Sequence, residues 1–250
     1  MLKIQRRLGL LVYMTLTNKN YIVAGGSSGI GHQLASLLLD QGAQVWILSR
    51  HAPDDLIGRG AQHIMIDFGQ AVPSDIPGLP DLVDGVAYCP GNINLKPFGR
   101  ISQQDFANDY QLNVLGAVGL LQVTHKLLRK SESASVVLFS TVAAKLGMGF
   151  HASIAASKGA VEGLGKSLAS EWAPQKIRVN IIAPSLTDTP LASALLSTDD
   201  KREASNKRHP IGRFGKADDI AQAALWLLGP HSTWVTGQVI GVDGGMGSLK

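Results

Sequence analysis

From residue 20 onward, short continuous apolar runs alternate with longer segments in which apolar residues recur every three to four positions. The short runs read as buried strands: Tyr21 to Ala24, Gln44 to Leu48, His63 to Ile66, Gly85 to Tyr88, Ser135 to Phe139, Arg178 to Ile182 and Gln238 to Val242. The longer segments read as helices over Gly29 to Gln41, Gln103 to Lys130, Ala152 to Trp172 and Lys216 to Leu228. Repeated strand–helix–strand units build a parallel sheet covered by helices on both faces. The expected fold class is therefore α/β, a doubly wound three-layer sandwich around a seven-stranded parallel sheet. Seven strands argue against an eight-unit barrel. Pro73, Pro77 and Pro80 break any helical ladder, so residues 70 to 81 read as a loop or a single turn. No linker or internal repeat interrupts the alternation, and residues 18 to 250 are expected to form one domain.

Composition narrows the classes. Of 250 residues, 45% are hydrophobic and 17% charged, which excludes a disordered tail protein. No apolar run approaches the ~20 residues that span a bilayer, so no membrane association is expected. Lys and Arg number 23 against 19 Asp and Glu, a net +4 that mildly favours anionic ligands and is too diffuse to argue for nucleic acid. Cys89 is the single cysteine, which leaves no internal disulfide or cysteine-based metal cluster; a cytoplasmic protein without a metal site is expected. Lys3, Arg6 and Arg7 before the apolar stretch Leu8 to Met14 look like the start of a signal peptide, but no small-residue cleavage site follows. Residues 1 to 17 read as an extension, disordered or preceding a natural start at Met14.

The first candidate strand ends in Ala24-Gly25-Gly26-Ser27-Ser28-Gly29-Ile30-Gly31 and runs into the helical face of Leu34, Leu37 and Leu38. Glycines there permit a tight strand-to-helix turn and close approach of backbone to a pyrophosphate, whose charge the helix N-terminus favours. A purely structural turn would use the same glycines. The spacing also differs from the commonest dinucleotide fingerprint. After the second strand the chain reads Leu48-Ser49-Arg50-His51, with no carboxylate to bind ribose hydroxyls. Ser49 with Arg50 fits a clamp for the 2′-phosphate of NADP, which makes NADP(H) the preferred cofactor over NAD(H).

The glycine spacing resembles that of the short-chain dehydrogenase/reductase family, and the resemblance extends over nearly all of residues 18 to 247. Further matches follow in order. Cys89-Pro90-Gly91-Asn92 stands where the family usually has Asn-Ala-Gly, and Asp67-Phe68 resembles its Asp-hydrophobic pair at the adenine. Pro184-Ser185-Leu186-Thr187-Asp188-Thr189 looks like its Pro-Gly-x-(Val/Ile)-x-Thr at the nicotinamide, with Ser185 replacing the glycine. Val235-Thr236-Gly237-Gln238 and Val242-Asp243-Gly244-Gly245 look like its C-terminal signature. The resemblance implies a Rossmann-type fold. It also implies cofactor contacts at Gly25, Ser27, Ser28, Gly29, Ile30, Gly31, Ser49, Arg50, Asp67, Phe68, Pro90, Gly91, Lys158, Pro184, Thr187 and Thr189.

It further implies a catalytic set in which Asn113 and Lys158 occupy the family's Asn and Lys positions. Counting four residues back from Lys158 reaches Ile154 instead of the family's Tyr, and thirteen further back reaches Thr141 instead of its Ser. Thr141 would polarise the substrate carbonyl, but Ile154 has no proton to give. No tyrosine lies between Tyr110 and the C-terminus, so no realignment recovers one. Three readings stay open. His151, seven residues before Lys158 at the spacing of the enoyl reductases' Tyr, carries an imidazole that could donate the proton. Ser153 with water could do so. Catalysis could be lost with cofactor binding retained, which would leave a sensor or scaffold.

Ala155, Ala156, Gly159, Ala160, Gly163 and Gly165 give helix 152 to 172 a small-residue surface suited to helix pairing, and a homo-oligomer, dimer or tetramer, is expected. Residues 188 to 212 correspond to the family's substrate-covering segment and carry Lys201, Arg202, Lys207 and Arg208. A ketone, an aldehyde, an acyl thioester and an activated alkene all remain compatible as the small-molecule substrate.

Overall fold

The structure, a computed structural model, describes residues 16 to 249. Most of the expected extension lies outside the described residues. Leu16, assigned to it from the sequence, belongs to the fold: it is buried among the apolar residues below the sheet, and its amide donates to the Gln41 carbonyl at 2.9 Å.

The main sheet has seven strands, β1 (Asn20–Ala24), β2 (Gln44–Ser49), β3 (Gln62–Met65), β4 (Gly85–Tyr88), β5 (Ala134–Phe139), β6 (Ile177–Pro184) and β9 (Val239–Val242). All pair in parallel, in the order β3-β2-β1-β4-β5-β6-β9. All seven expected strands fall within two residues of these bounds; β3 lies one residue earlier than the sequence pattern suggests. Alternate side chains point to opposite faces. In β1, Ile22 and Ala24 therefore join one apolar layer with Leu120, Leu121, Val161 and Trp172. Tyr21 and Val23 join the other with Leu34, Leu38, Ile220 and Leu227. Each such fully buried side chain contributes roughly 1.5–3 kcal/mol.

One layer is capped by α1 (Gly29–Asp40) and α7 (Ala217–Leu228), the other by α4 (Gly116–Leu128) and α5 (Ala152–Trp172). The buried positions of α5 include Ile154, Lys158, Val161, Gly165, Ala169 and Trp172, a stripe at helical spacing. Lys158 thus faces inward. A Cβ on Gly165 would lie 2.6 Å from the Ile181 Cδ1 atom, so this glycine lets α5 lie close on β6.

The single helix expected over residues 103 to 130 is interrupted. It comprises α3 (Gln103–Tyr110), a π-helical turn over Gln111–Leu115, and α4. In a π-turn the backbone N–H reaches one residue further back than in an α-helix. The Asp109 carbonyl is taken instead by the Asn113 side-chain amide at 2.8 Å. A short α2 (Asp54–Ile57), absent from the sequence reading, follows β2. Residues 70 to 81 form no helix or strand, as the prolines require. The segment 188 to 212 is more ordered than its sequence suggests. It holds a 3₁₀ stretch (Pro190–Leu196) and α6 (Asp199–Lys207), entered through two-residue strand β7 (Thr187–Asp188), which pairs with β8 (Gly215–Lys216).

Gly116 marks where α4 presses on the sheet. A Cβ there would sit 2.2 Å from the Tyr88 hydroxyl and 3.1 Å from the Phe68 carbonyl, and Tyr88 is fixed by donating to the Leu112 carbonyl at 2.6 Å. Gly116→Ala gains up to ~1 kcal/mol of helix propensity but overpacks a rigid site at a cost of roughly 1–3 kcal/mol. The expected net result is a lower midpoint in thermal or urea unfolding; an unchanged midpoint would contradict this packing.

Candidate active site

Strand order reverses between β1 and β4, and in open α/β sheets such a reversal opens a crevice beyond the carboxyl ends of the strands. Here Gly25 follows β1 and Cys89-Pro90-Gly91 follows β4. A Cβ on Gly25, whose φ is +71°, would lie 3.0 Å from the Pro90 nitrogen; one on Gly31 would lie 2.4 Å from the Gly25 carbonyl oxygen. Both contacts are with backbone, which cannot step aside. The turn therefore closes only with glycine, and it delivers the chain into α1 with Ser28 as an N-cap whose side chain makes no capping bond.

A groove of about 640 Å³ extends from this turn. It is lined by Gly25, Ser27, Ser28, Gly29, Ile30 and Gly31, by Ser49, Arg50 and His51 after β2, by Asp67 and Phe68 after β3, and by Pro90 and Gly91. Arg50 and His51 are exposed on it. The Ser49 hydroxyl is buried and donates to the His51 carbonyl at 2.8 Å, and the His63 Nε2 lies 3.2 Å from the Ser49 Oγ. Ser49 therefore braces the turn that carries Arg50, and its hydroxyl proton is already committed. Asp67 is exposed with Oδ1 accepting from the Gly69 amide at 2.9 Å, while Phe68 packs edge-on against Tyr88.

A second cleft of about 580 Å³ adjoins the groove and is lined by Thr141, His151, Ile154, Lys158, Pro184 and Thr187, among others. Ile30, Cys89, Gly91, Thr189 and Leu191 line both cavities, so the two are contiguous. The Lys158 ammonium is buried and donates to the Phe139 carbonyl at 2.8 Å. Burial lowers its pKa from 10.5 to about 8, and it pushes the neighbouring Cys89 thiol up to about 12. Thr141 accepts from the Ala143 amide at 3.3 Å and keeps its proton free for the cleft. His151 caps α5 by position, and its Nδ1 lies 2.6 Å from the Gly149 carbonyl, which fixes Nδ1–H and leaves Nε2 free.

Asn113 is fully buried. Its amide donates to the Asn92 Oδ1 at 3.0 Å and to the Asp109 carbonyl, yet its own Oδ1 has no partner. A Cβ on Gly91 would lie 3.4 Å from that oxygen and 3.6 Å from the Lys158 Nζ. An orphaned acceptor and an ammonium bonded to the Phe139 carbonyl thus flank the same glycine where groove and cleft meet. Buried polar groups of this kind require partners, and a hydroxylated ligand with a bridging water supplies both. The residues present fit the ribose of a nicotinamide nucleotide, with its phosphates on the glycine turn.

Ser153 does not join this set. It is fully buried, lines neither cavity, and donates to the Asp109 Oδ2 at 2.5 Å; Asn92 occupies Oδ1 of the same carboxylate. The Ser153 hydroxyl proton is therefore committed to Asp109 and is not presented to either cavity. Two groups escaped the sequence reading. Asp109 looked like one polar residue among several on a helix. His209 precedes Pro210 in a basic segment, and nothing in the sequence singled it out. The His209 ring lies in the cleft wall with Nε2 2.8 Å from the Ser185 hydroxyl.

A dinucleotide crevice joined to a cleft with a buried lysine is the architecture of a nicotinamide-dependent oxidoreductase of the doubly wound class. Residues 67 to 247 match the family model described as enoyl-(acyl carrier protein) reductase. A tropinone reductase homologue of Arabidopsis thaliana is 32% identical, covering 93% of this chain and 94% of its own length. The 3-oxoacyl-acyl-carrier-protein reductase of Thermotoga maritima is 31% identical, covering 93% and 99%. Among solved structures, an Agrobacterium tumefaciens protein assigned as a 2-deoxy-D-gluconate 3-dehydrogenase, with bound NADP, superposes with a TM-score of 0.85 at 30% identity, covering 94% of this chain and 98% of that one. The chain belongs to the short-chain dehydrogenase/reductase family.

Two outcomes follow from this geometry. Because Lys158 has a lower pKa folded than unfolded, the unfolded chain binds its proton more tightly, and stability of the nucleotide-free protein should rise as pH climbs from about 8 towards 10.5. Lys158→Met should remove that slope in urea unfolding measured across the window; an identical slope in the variant would refute the burial of a charged ammonium. Gly31→Ala, which drives a methyl group into the Gly25 carbonyl, should cost more than ~2 kcal/mol of stability. It should also abolish nucleotide binding, read by nicotinamide fluorescence.

Proposed function

We propose that the protein is an NADP(H)-dependent oxidoreductase that reduces a carbonyl group, in a ketone, an aldehyde or a 3-oxoacyl thioester. The observation that carries this reading is the junction at Gly91, where the unpaired Asn113 oxygen and the buried Lys158 ammonium face the boundary between groove and cleft. When bound, the nicotinamide would supply a hydride for transfer to the substrate carbon. The chain's own residues do the rest. Arg50 neutralises the adenosine phosphate, and Gly25 to Gly31 present the α1 N-terminus to the pyrophosphate. Pro184, Thr187 and Thr189 hold the carboxamide end. Lys158 hydrogen-bonds the ribose, keeps a positive charge near the developing alkoxide, and is anchored by the Asn113 side through a bridging water. Thr141 donates its hydroxyl to the carbonyl oxygen, and His151 delivers the proton from Nε2.

The names of the relatives support carbonyl chemistry, and the bound NADP of the Agrobacterium protein supports the choice of nucleotide. Ile154 favours a second reading. It is buried on the cleft wall where a proton donor would stand, as expected of an NADP(H)-binding sensor or scaffold. An enoyl- or dienoyl-type reductase is the remaining enzymatic alternative, and the His151 spacing suits it. In either case α5 leaves Gly159 and Gly163 facing open space, and pairing of this face between copies is part of the same proposal.

Titration with NADPH and NADH tests the cofactor assignment. NADPH should bind at least tenfold more tightly, and Arg50→Ala should bring the two together; preference for NADH would reverse the assignment. With a turned-over carbonyl, His151→Ala should lower kcat by roughly 10²–10⁴ and remove one limb of the pH–rate profile. Unchanged turnover would take His151 out of the reaction, and nucleotide binding without turnover of any carbonyl or alkene would favour the sensor.

A further inference from the structure

Ser185 and His209 form a hydrogen-bonded pair that no step above uses. His209 is 3% exposed, and its Nδ1 lies 2.7 Å from the Ser205 carbonyl at the end of α6. A carbonyl oxygen only accepts, so Nδ1 carries the hydrogen. In that tautomer Nε2 is a bare acceptor. The Ser185 hydroxyl, 2.8 Å away, must therefore donate to it. Its proton spent, the Ser185 oxygen offers lone pairs to the cleft that both residues line. Thr141 has the opposite polarity: its oxygen accepts from Ala143 and its hydroxyl proton is free.

The two stand at the same end of neighbouring strands. Phe139 of β5 pairs with Ile182 of β6; Thr141 lies two residues beyond the first and Ser185 three beyond the second. The cleft that both residues line also carries the apolar side chains of Ile93, Leu95, Met148, Leu195 and Met246, with Lys201 and Arg208 among its polar lining. An acceptor set in such a cleft selects a donor on the ligand. We propose that Ser185, locked by His209, is a specificity-determining residue that accepts a hydrogen bond from a substrate hydroxyl near the reacting carbonyl, so that hydroxy-carbonyl compounds are preferred over plain ketones.

The inference rests on the carbonyl-reductase reading, and the test separates the two. Binding of 2-hydroxycyclohexanone and of cyclohexanone is measured by calorimetry on the full chain saturated with NADP⁺, and again without nucleotide. The hydroxylated ketone should bind about tenfold more tightly to the wild type, the worth of one net hydrogen bond. Ser185→Ala and Ser185→Gly should each reduce that ratio below about twofold while leaving cyclohexanone binding nearly unchanged; both should lower the melting temperature, because the buried His209 Nε2 loses its donor. Equal binding of the two ketones by the wild type, no binding of either, or a preference that survives in both variants would overturn the proposal. Failure to bind NADPH would instead defeat the oxidoreductase reading, and the nucleotide-free ketone arm would still report on Ser185.

Discussion

A lysine ammonium removed from water by the packing of a helix on a sheet is the constraint around which the cleft is organised. Burial of an isolated cation is costly, and it persists only where acceptors are arranged around it. Lys158 reaches that position because it falls on the inner stripe of α5, in register with Ile154, Val161 and Gly165, and because Gly165 lets the helix settle against Ile181. The Phe139 carbonyl at the end of β5 provides one acceptor. The glycine at position 91 leaves space for the others. Strand ends, helix and loop are thus committed together by one charge.

The nucleotide groove is governed by sterics more than by charge. Gly25 and Gly31 approach each other and Pro90 so closely that a methyl group on either would strike backbone. This crowding follows from strand order, since β1 and β4 are neighbours whose helical connections leave in opposite directions. The electrostatic contribution is added at the rim, where Arg50 is carried on a turn braced by the buried Ser49 hydroxyl.

The strands and their parallel pairing were legible in the sequence because residues buried on both faces make uninterrupted apolar runs. Helix α5 was legible to the residue because its stripe is long and regular. The break within residues 103 to 130 was not, because a π-turn leaves the hydrophobic period almost intact; its cause is the side chain of Asn113 taking a backbone acceptor. The glycine turn and Arg50 stood out by residue type and by their place after a strand, whereas Thr141 and Lys158 were singled out through the family resemblance. Ser153 looked available because sequence reports a hydroxyl but not its rotamer, and Asp109 had already claimed it. His209 gave no signal, since its partner lies 24 positions away and meets it only through the fold.

The π-turn at Gln111–Leu115 also has a mechanical meaning. Each residue of an α-helix advances the side-chain direction by roughly 100°. One additional residue in a turn therefore sets α3 and α4 out of phase, so that the Asn113 side chain can turn towards Gly91 while α4 keeps Leu120, Leu121 and Leu128 against the sheet. The same offset points Tyr110 and Leu115 outward. Outer surface and inner site are thus joined by the same five residues.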